Sequence, residues 1–200
     1  MTAKLISTNT EKYKGKVTTY DIEKSGVGFM FAVQDQKDFP GMDELVKGFG
    51  KTGYRVYSST GNMLEKTSSG EHLLGYNVIG SYAFTRAKKD QSLGVVVPRD
   101  YTLVLSRVIF IGKGAKDPNA AKLWVDYILS KRGQAIIGNQ SELGSIRADV
   151  EGEMTAAGYA KILGAAAKPI PVNADLLVYL DQTKRLDFIK QWQAAMKAGK

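Results

Sequence analysis

Short strands alternate with helices along the first half of this chain, and small polar residues form the turns between them. Gly15–Tyr20 and Arg55–Ser58 are rich in β-forming residues, and each precedes a Ser/Gly-containing turn and an apolar helical segment. Leu73–Val78 and Leu93–Val97 extend the strand pattern. Such alternation is typical of parallel βαβ units with helices packed on the sheet. The sequence therefore predicts an α/β fold.

The second half of the chain has a different pattern. Tyr101–Ile111 is predicted to be extended, and Asp117 then opens the helix with the clearest apolar periodicity in the chain. From Glu151 onward the sequence predicts a mostly helical tail, interrupted by two prolines. A lobe with a parallel-rich sheet, an extended return segment and C-terminal helices is the architecture that this order favours.

Composition excludes several classes of protein and site. The 200 residues include no cysteine, which rules out disulfides, thiolate metal sites and cysteine nucleophiles. His72 is the single histidine, and we expect it at the surface or at the rim of a site, not as a metal ligand. The net charge of +8 is spread over both halves, so no nucleic-acid partner is predicted. The first residues also lack the apolar segment of a signal peptide.

Three strand-to-helix turns are candidate binding segments. Backbone N–H groups and the positive end of the helix dipole meet at such turns, which suits them to anions. Turns that follow neighbouring parallel strands lie at one edge of the sheet, where open α/β folds bind ligands. An ordinary capped turn explains the first segment equally well, and a core position explains Tyr76 equally well. The candidate ligand-binding residues are Ser25, Gly26, Val27, Ser59, Thr60, Gly61, Tyr76, Asn77, Ser81 and Tyr82.

The acids near these turns do not define a reaction. Asp21, Glu23, Glu65 and Glu71 are the only carboxylates close in sequence, and none has a spacing typical of acid–base or metal chemistry. A binding protein without catalytic residues or cofactor is therefore the first prediction. A phosphate-handling enzyme whose site lies at the same sheet edge is the alternative. A sensory domain with a binding-protein fold is a third possibility.

Several segments carry a resemblance to a known family. Lys14–Val17, Ser25–Phe29 and Gly70–Asn77 occur in an order that resembles the ligand-binding subunit of an ABC importer. Gly112–Trp124 with Leu129–Gln134 resembles the pattern "ka.hp.aAk.f..flls..gQ", and the segment 147–150 resembles its "r.dv" ending. The chain is most similar to the ferric-ion-binding type of bacterial extracellular solute-binding proteins.

The resemblance implies a periplasmic-binding-protein fold with two lobes. Residues 11–98 would form the second ligand-binding lobe, residues 99–148 a crossover that returns to the first lobe, and residues 149–200 a helical region on the second lobe. The N-terminal half of the first lobe would be missing. We expect the exposed return segment to pair with a second copy, which predicts a homodimer.

The resemblance also implies the function. The chain would be the substrate-binding component of an ABC importer, located in the periplasm, that delivers a solute to a membrane permease. Ser81-Tyr82 falls where the iron binders carry adjacent tyrosines, and only Tyr82 is present here. One phenolate is too few for ferric ion, so a small anionic or phosphate-bearing solute is the first expectation. Ferric-ion binding through Tyr82 is the alternative.

Overall fold

The computed structural model describes residues 5–6, 8–141 and 143–199 and divides the chain into two compact units. The first unit draws on Met1–Val95 and Pro171–Lys200, and the second on Val96–Ile170. Within the described ranges, no helix combines the length and the apolar character needed to cross a membrane.

A three-stranded parallel sheet lies at the centre of the first unit. Its strands are β1 (Val17–Tyr20), β2 (Arg55–Tyr57) and β3 (Leu74–Gly75), in the order β2-β1-β3. Thr18 is level with Arg55 on one side and with Gly75 on the other. All four residues of β1 are buried, as expected for a central strand with helices on both faces.

Helices follow the strands in the order predicted. β1 leads to α1 (Gly26–Asp38) and α2 (Met42–Thr52), β2 leads to α3 (Thr60–Ser68), and β3 leads to α4 (Gly80–Lys89). Because the strands are parallel, the starts of α1, α3 and α4 all follow the carboxyl edge of the sheet. This edge therefore contains all three candidate turns.

The second unit contains a two-stranded parallel sheet and three α-helices among its described residues. The strand β4 (Thr102–Val104) pairs with a strand near the end of the unit, with Thr102 level with Ala167. In chain order the other elements are α5 (Pro118–Leu129), α6 (Lys131–Gln140), α7 (Ala156–Leu163) and β5 (Ala167–Pro169). None of the residues of α5 is buried.

The C-terminal helix α8 (Gln182–Ala198) returns to the first unit and packs tightly against α2. A Cβ placed on Gly50 would lie 2.0 Å from the carbonyl oxygen of Met196, so the two backbones approach too closely for any side chain. This packing closes an apolar core. Its buried members are Ile6, Val17, Ile22, Phe29, Ala32, Met42, Leu45, Val46, Phe49, Ile189, Trp192 and Met196.

The predicted α/β class, with parallel sheets flanked by helices, is confirmed. Three details of the secondary structure differ. Leu93–Val97 is not a strand, and no described strand offers it a hydrogen-bonding partner. The strand expected over Leu73–Val78 is only the two residues of β3, because the following residues bend into the start of α4. The tail predicted as helical contains β5, which pairs with β4.

The expectation that His72 lies at the surface or rim is wrong. Its side chain is buried, and Nε2 lies 2.9 Å from the hydroxyl oxygen of Tyr57. Burial lowers the pKa of His72 below its usual value. Its neighbour Glu71 is exposed and pairs with Lys66 at 2.8 Å. Because the polar residues before His72 are at the surface, the local sequence does not indicate that the histidine is buried.

Replacement of Gly50 by alanine should destabilise the first unit by about 1–3 kcal/mol, because the new methyl group must push α8 away from α2. Gly61→Ala is the matched control: its Cβ would meet nothing within 4 Å, and the helical position favours alanine by about 0.5 kcal/mol. Denaturant unfolding of both variants measures the difference. Equal stabilities would contradict the close approach of the two helices.

Candidate ligand-binding site

The turn before α1 is closed by Ser25. Its Oγ accepts a hydrogen bond from the backbone N–H of Gly28 at 3.2 Å, and the residue is almost fully buried. Gly26 is exposed and Val27 is half-buried. The serine therefore caps the helix in the usual way, while the backbone of the first turn remains open at Gly26.

The turn before α3 has the same construction. Ser59 Oγ accepts from the backbone N–H of Asn62 at 3.3 Å, and Ser59 and Gly61 are exposed. Thr60, between them, is buried, and its hydroxyl forms a short hydrogen bond with the hydroxyl of Tyr20. The first turn of α3 is thus tied to the central strand of the sheet.

Tyr20, the last residue of β1, contacts the starts of all three helices. A Cβ on Gly28 of α1 would lie 2.3 Å from Tyr20 Cβ, so glycine is needed for the close approach. The Tyr20 hydroxyl bonds to Thr60 at the start of α3 and to the backbone of Ile79, the residue before α4. The base of the tyrosine side chain therefore contacts the start of α1, and its hydroxyl links the starts of α3 and α4.

The Tyr20 hydroxyl is a neutral phenol at neutral pH. Burial raises the pKa of Tyr20 above the ordinary value of 10.0, and the hydrogen bonds from Thr60 and the Ile79 backbone offset this only in part. The nearby phenol of Tyr82 adds to the rise. At neutral pH the group is an uncharged hydroxyl, not a phenolate.

The start of α4 differs from the other two because a side chain does not cap it. The side chain of its N-cap residue, Ile79, has no polar atom that could accept a hydrogen bond from the first N–H groups of the helix. Ser81 and Tyr82 lie in this first turn and are half-buried. Backbone amides, a hydroxyl and a phenol are therefore grouped at this helix start.

Tyr76 and Asn77 both hydrogen-bond to Asp35 of α1. The Tyr76 hydroxyl donates to Asp35 Oδ2 at 3.0 Å, and the Asn77 amide Nδ2 donates to the same oxygen at 2.5 Å. The Tyr76 ring packs on Phe49, with ring centroids 5.3 Å apart. Both side chains therefore support the turn before α4 from the inside of the first unit.

The structure thus brings the three predicted turns to one sheet edge and adds two residues that sequence reasoning missed. In the sequence Tyr20 is predicted only to end a strand, and Asp35 lies just beyond the apolar segment that follows the first turn. Neither lies in a turn, so their local sequence carries no sign of a link to the site. The one available signal was the position of Tyr20 at the carboxyl end of the first strand.

Comparison with known proteins identifies the family. Residues 3–161 match the family described as bacterial extracellular solute-binding protein. The fold also matches the crystal structure of the substrate binding protein of an ABC transporter from Agrobacterium tumefaciens, with a TM-score of 0.87 and 36% sequence identity. No curated protein matches the chain. The chain belongs to the bacterial extracellular solute-binding protein family.

The match to the Agrobacterium protein is unequal in extent. It covers 98% of this chain but 58% of the Agrobacterium chain. The fold of this chain is therefore almost wholly represented in that protein, whereas a large part of that protein has no counterpart here.

Tyr20→Phe should make the stability of the protein less dependent on alkaline pH. The unfolded chain ionises Tyr20 near 10.0, but the folded protein keeps it neutral to higher pH. The contribution of this pKa difference to the free energy of unfolding is fully present below the unfolded pKa of 10.0. It is lost as the pH rises toward the folded pKa. Denaturant unfolding at a series of pH values from about 8 to 11 measures it. An unchanged alkaline slope in the variant would contradict the burial of the phenol.

Proposed function

We propose that this chain is part of the solute-binding component of an ABC importer and that its first unit contributes to a site for a small anionic or phosphate-bearing solute. The observation that carries the proposal is that Tyr20 touches all three helix starts: its Cβ lies against Gly28 of α1, and its hydroxyl bonds to Thr60 of α3 and to the backbone before α4. Family membership supports the transport function. In this proposal the protein acts in the periplasm and delivers its solute to a membrane permease.

Helix starts favour an anion for a physical reason. Each presents backbone N–H groups and the positive end of a helix dipole, and the effects of three helices add where they meet. The start of α4 is the best placed of the three because no side-chain oxygen of Ile79 competes for its amides. Ser81 and Tyr82 can each donate a hydroxyl hydrogen bond to a phosphate oxygen.

Ferric ion is less well supported as the solute. Hard ferric ion requires several anionic oxygen ligands, and Tyr82 is the only residue of the paired-tyrosine segment that could supply one. Tyr20 is held neutral by burial. Among the described residues, no three His, Cys, Asp or Glu side chains group as a metal-ion site would require. These features favour a solute that accepts hydrogen bonds.

An enzyme that uses the same sheet edge also has little support, because Asp21 and Glu71, two of the four neighbouring acids, have structural contacts. Asp21 Oδ1 accepts from the backbone N–H groups of Glu23 and Lys24, at 3.0 and 3.2 Å. Glu71 pairs with Lys66. We therefore favour binding without turnover.

A larger, two-lobed protein is the second part of the proposal. The second unit exposes large apolar side chains of the kind that mark interaction surfaces: Phe110 is 83% exposed, Leu123 71% and Trp124 61%. The chain corresponds to only 58% of the Agrobacterium protein. We propose that the polypeptide corresponding to the remainder of that protein, the first-lobe portion, covers this apolar surface and completes the ligand site.

Inorganic phosphate, added at constant ionic strength, should shift the backbone NMR resonances of Ser81 and Tyr82. The backbone amide resonances at the start of α7, in the second unit, should not shift and serve as the internal control.

Ser59→Asp keeps a good helix cap but adds a negative charge at the start of α3, so the phosphate affinity should fall about tenfold.

Ser130→Asp is the matched control variant for this experiment, because Ser130 caps α6 in the second unit by accepting from Gly133 N–H at 3.1 Å. It should leave the phosphate response unchanged. An equal loss in both variants would count against the proposed site. A visible tyrosinate charge-transfer band on addition of ferric citrate, lost in Tyr82→Phe, would favour the ferric alternative.

The polypeptide that corresponds to the first-lobe portion should bind this chain and bury Trp124. Trp192→Phe removes the second, buried tryptophan, so the emission of Trp124 should shift to the blue on binding. Leu123→Glu should prevent the shift, whereas its exposed neighbour Lys122→Glu should not. A homodimer by light scattering, with a blue shift that grows with the concentration of this chain alone, would instead assign the surface to a second copy.

A further inference from the structure

Asp35 is a buried carboxylate that lies 42 positions before Asn77 in the sequence. It lies in α1 and is 1% exposed. Its Oδ2 accepts from the Tyr76 hydroxyl and from the Asn77 side-chain amide, both in the segment between β3 and α4. Removing a carboxylate from water is costly, so these hydrogen bonds are needed to keep it inside the protein.

The segment that Asp35 holds has an unusual backbone. Asn77 has a φ of +60°, and among the described residues it is the only one other than glycine with a positive φ. Asparagine tolerates this left-handed region better than most residues, but the conformation persists only where its surroundings fix it. The hydrogen bond from Nδ2 to Asp35 is such a restraint.

This restraint lies directly before the candidate site. α4 begins at Gly80, three residues after Asn77, so the left-handed turn sets the direction in which the helix starts. Asp35 lies on α1, whose first turn is capped by Ser25. α1 therefore contributes one helix start itself and orients a second through Asp35.

We propose that Asp35 is a positioning residue: by holding Tyr76 and Asn77, it fixes the start of α4 so that Ser81 and Tyr82 face the ligand together with the starts of α1 and α3. The role of Ser81 and Tyr82 as ligand contacts rests on the proposed function. The geometric role of Asp35 does not, and the two can be tested separately.

The test uses 3-fluorotyrosine placed at position 82 alone and observed by fluorine NMR without ligand. Asp35→Ala should change the Tyr82 signal from one sharp resonance to a shifted or exchange-broadened one, because the start of α4 is no longer fixed. Asp35→Asn retains an acceptor oxygen and should restore most of the original signal. Asp43→Ala, which removes an exposed carboxylate in α2 that accepts from Gln36 Nε2 at 3.3 Å, should have no effect.

Phosphate binding then separates the two proposals. If the wild-type chain binds inorganic phosphate at Ser81 and Tyr82, the affinity should fall about tenfold in Asp35→Ala and much less in Asp35→Asn. If the wild-type chain does not respond to phosphate but the Tyr82 signal changes in Asp35→Ala, the ligand assignment fails and the positioning role stands. A Tyr82 signal identical to wild type in folded Asp35→Ala overturns the positioning role.

A second variant covers the case in which Asp35→Ala does not fold. Asn77→Gly accepts the positive φ without strain but lacks the Nδ2 donor, so it removes one hydrogen bond to Asp35 and preserves the backbone. It should broaden the Tyr82 signal in the same direction as Asp35→Ala, to a smaller extent. A wild-type Tyr82 signal in this variant, with an unchanged phosphate affinity, also overturns the role assigned to Asp35.

Discussion

The close contact between Tyr20 and Gly28 sets the arrangement of the first unit. Because Gly28 lacks a side chain, the aromatic ring at the end of β1 can lie against the first turn of α1. From there its hydroxyl reaches Thr60 and the backbone of Ile79. A parallel sheet would place three helix starts at one edge in any case, but this tyrosine joins them through its own contacts.

The two units differ in how completely they bury their apolar residues. The first unit closes its core with α8, which packs on α2 through Gly50 and Gly199. The second unit has a two-stranded sheet and a helix, α5, in which no residue is buried, although its sequence has the apolar periodicity of a core helix. A helix with this pattern is expected to bury its apolar face against another part of the protein. The proposed two-lobed protein supplies that partner, and the 58% coverage of the Agrobacterium protein is consistent with it.

Neutral hydrogen-bond donors characterise the candidate site. Ser25 and Ser59 use their side chains to cap their own helices, while the start of α4 has no such cap. Burial raises the pKa of Tyr20 still further above neutral, so its hydroxyl adds no negative charge to the site at neutral pH. Such donors match a solute with oxygen acceptors, whereas hard ferric ion requires several anionic oxygen ligands.

Local sequence patterns were enough to predict the α/β class, the order of strands and helices as far as α4, and the three turns at the sheet edge. These features follow from local patterns: β-forming runs, helix caps and glycine-containing turns. The boundaries were less well determined, since Leu93–Val97 has the composition of a strand but no described partner strand, whereas Pro169 ends a strand that does have one. Strand formation depends on a neighbouring strand, which for β4 is distant in sequence.

The pairing of side chains across the molecule depends on the tertiary structure. Asp35 reaches Asn77 across 42 positions of the sequence, and Tyr20 reaches Thr60 across 40. Burial was also decided there: His72 lies in a polar sequence but is inside, and Trp124 lies on an apolar helix face but is outside. Local sequence sets the conformational preference of each segment, but burial and side-chain pairing arise from packing between segments, which no single segment encodes.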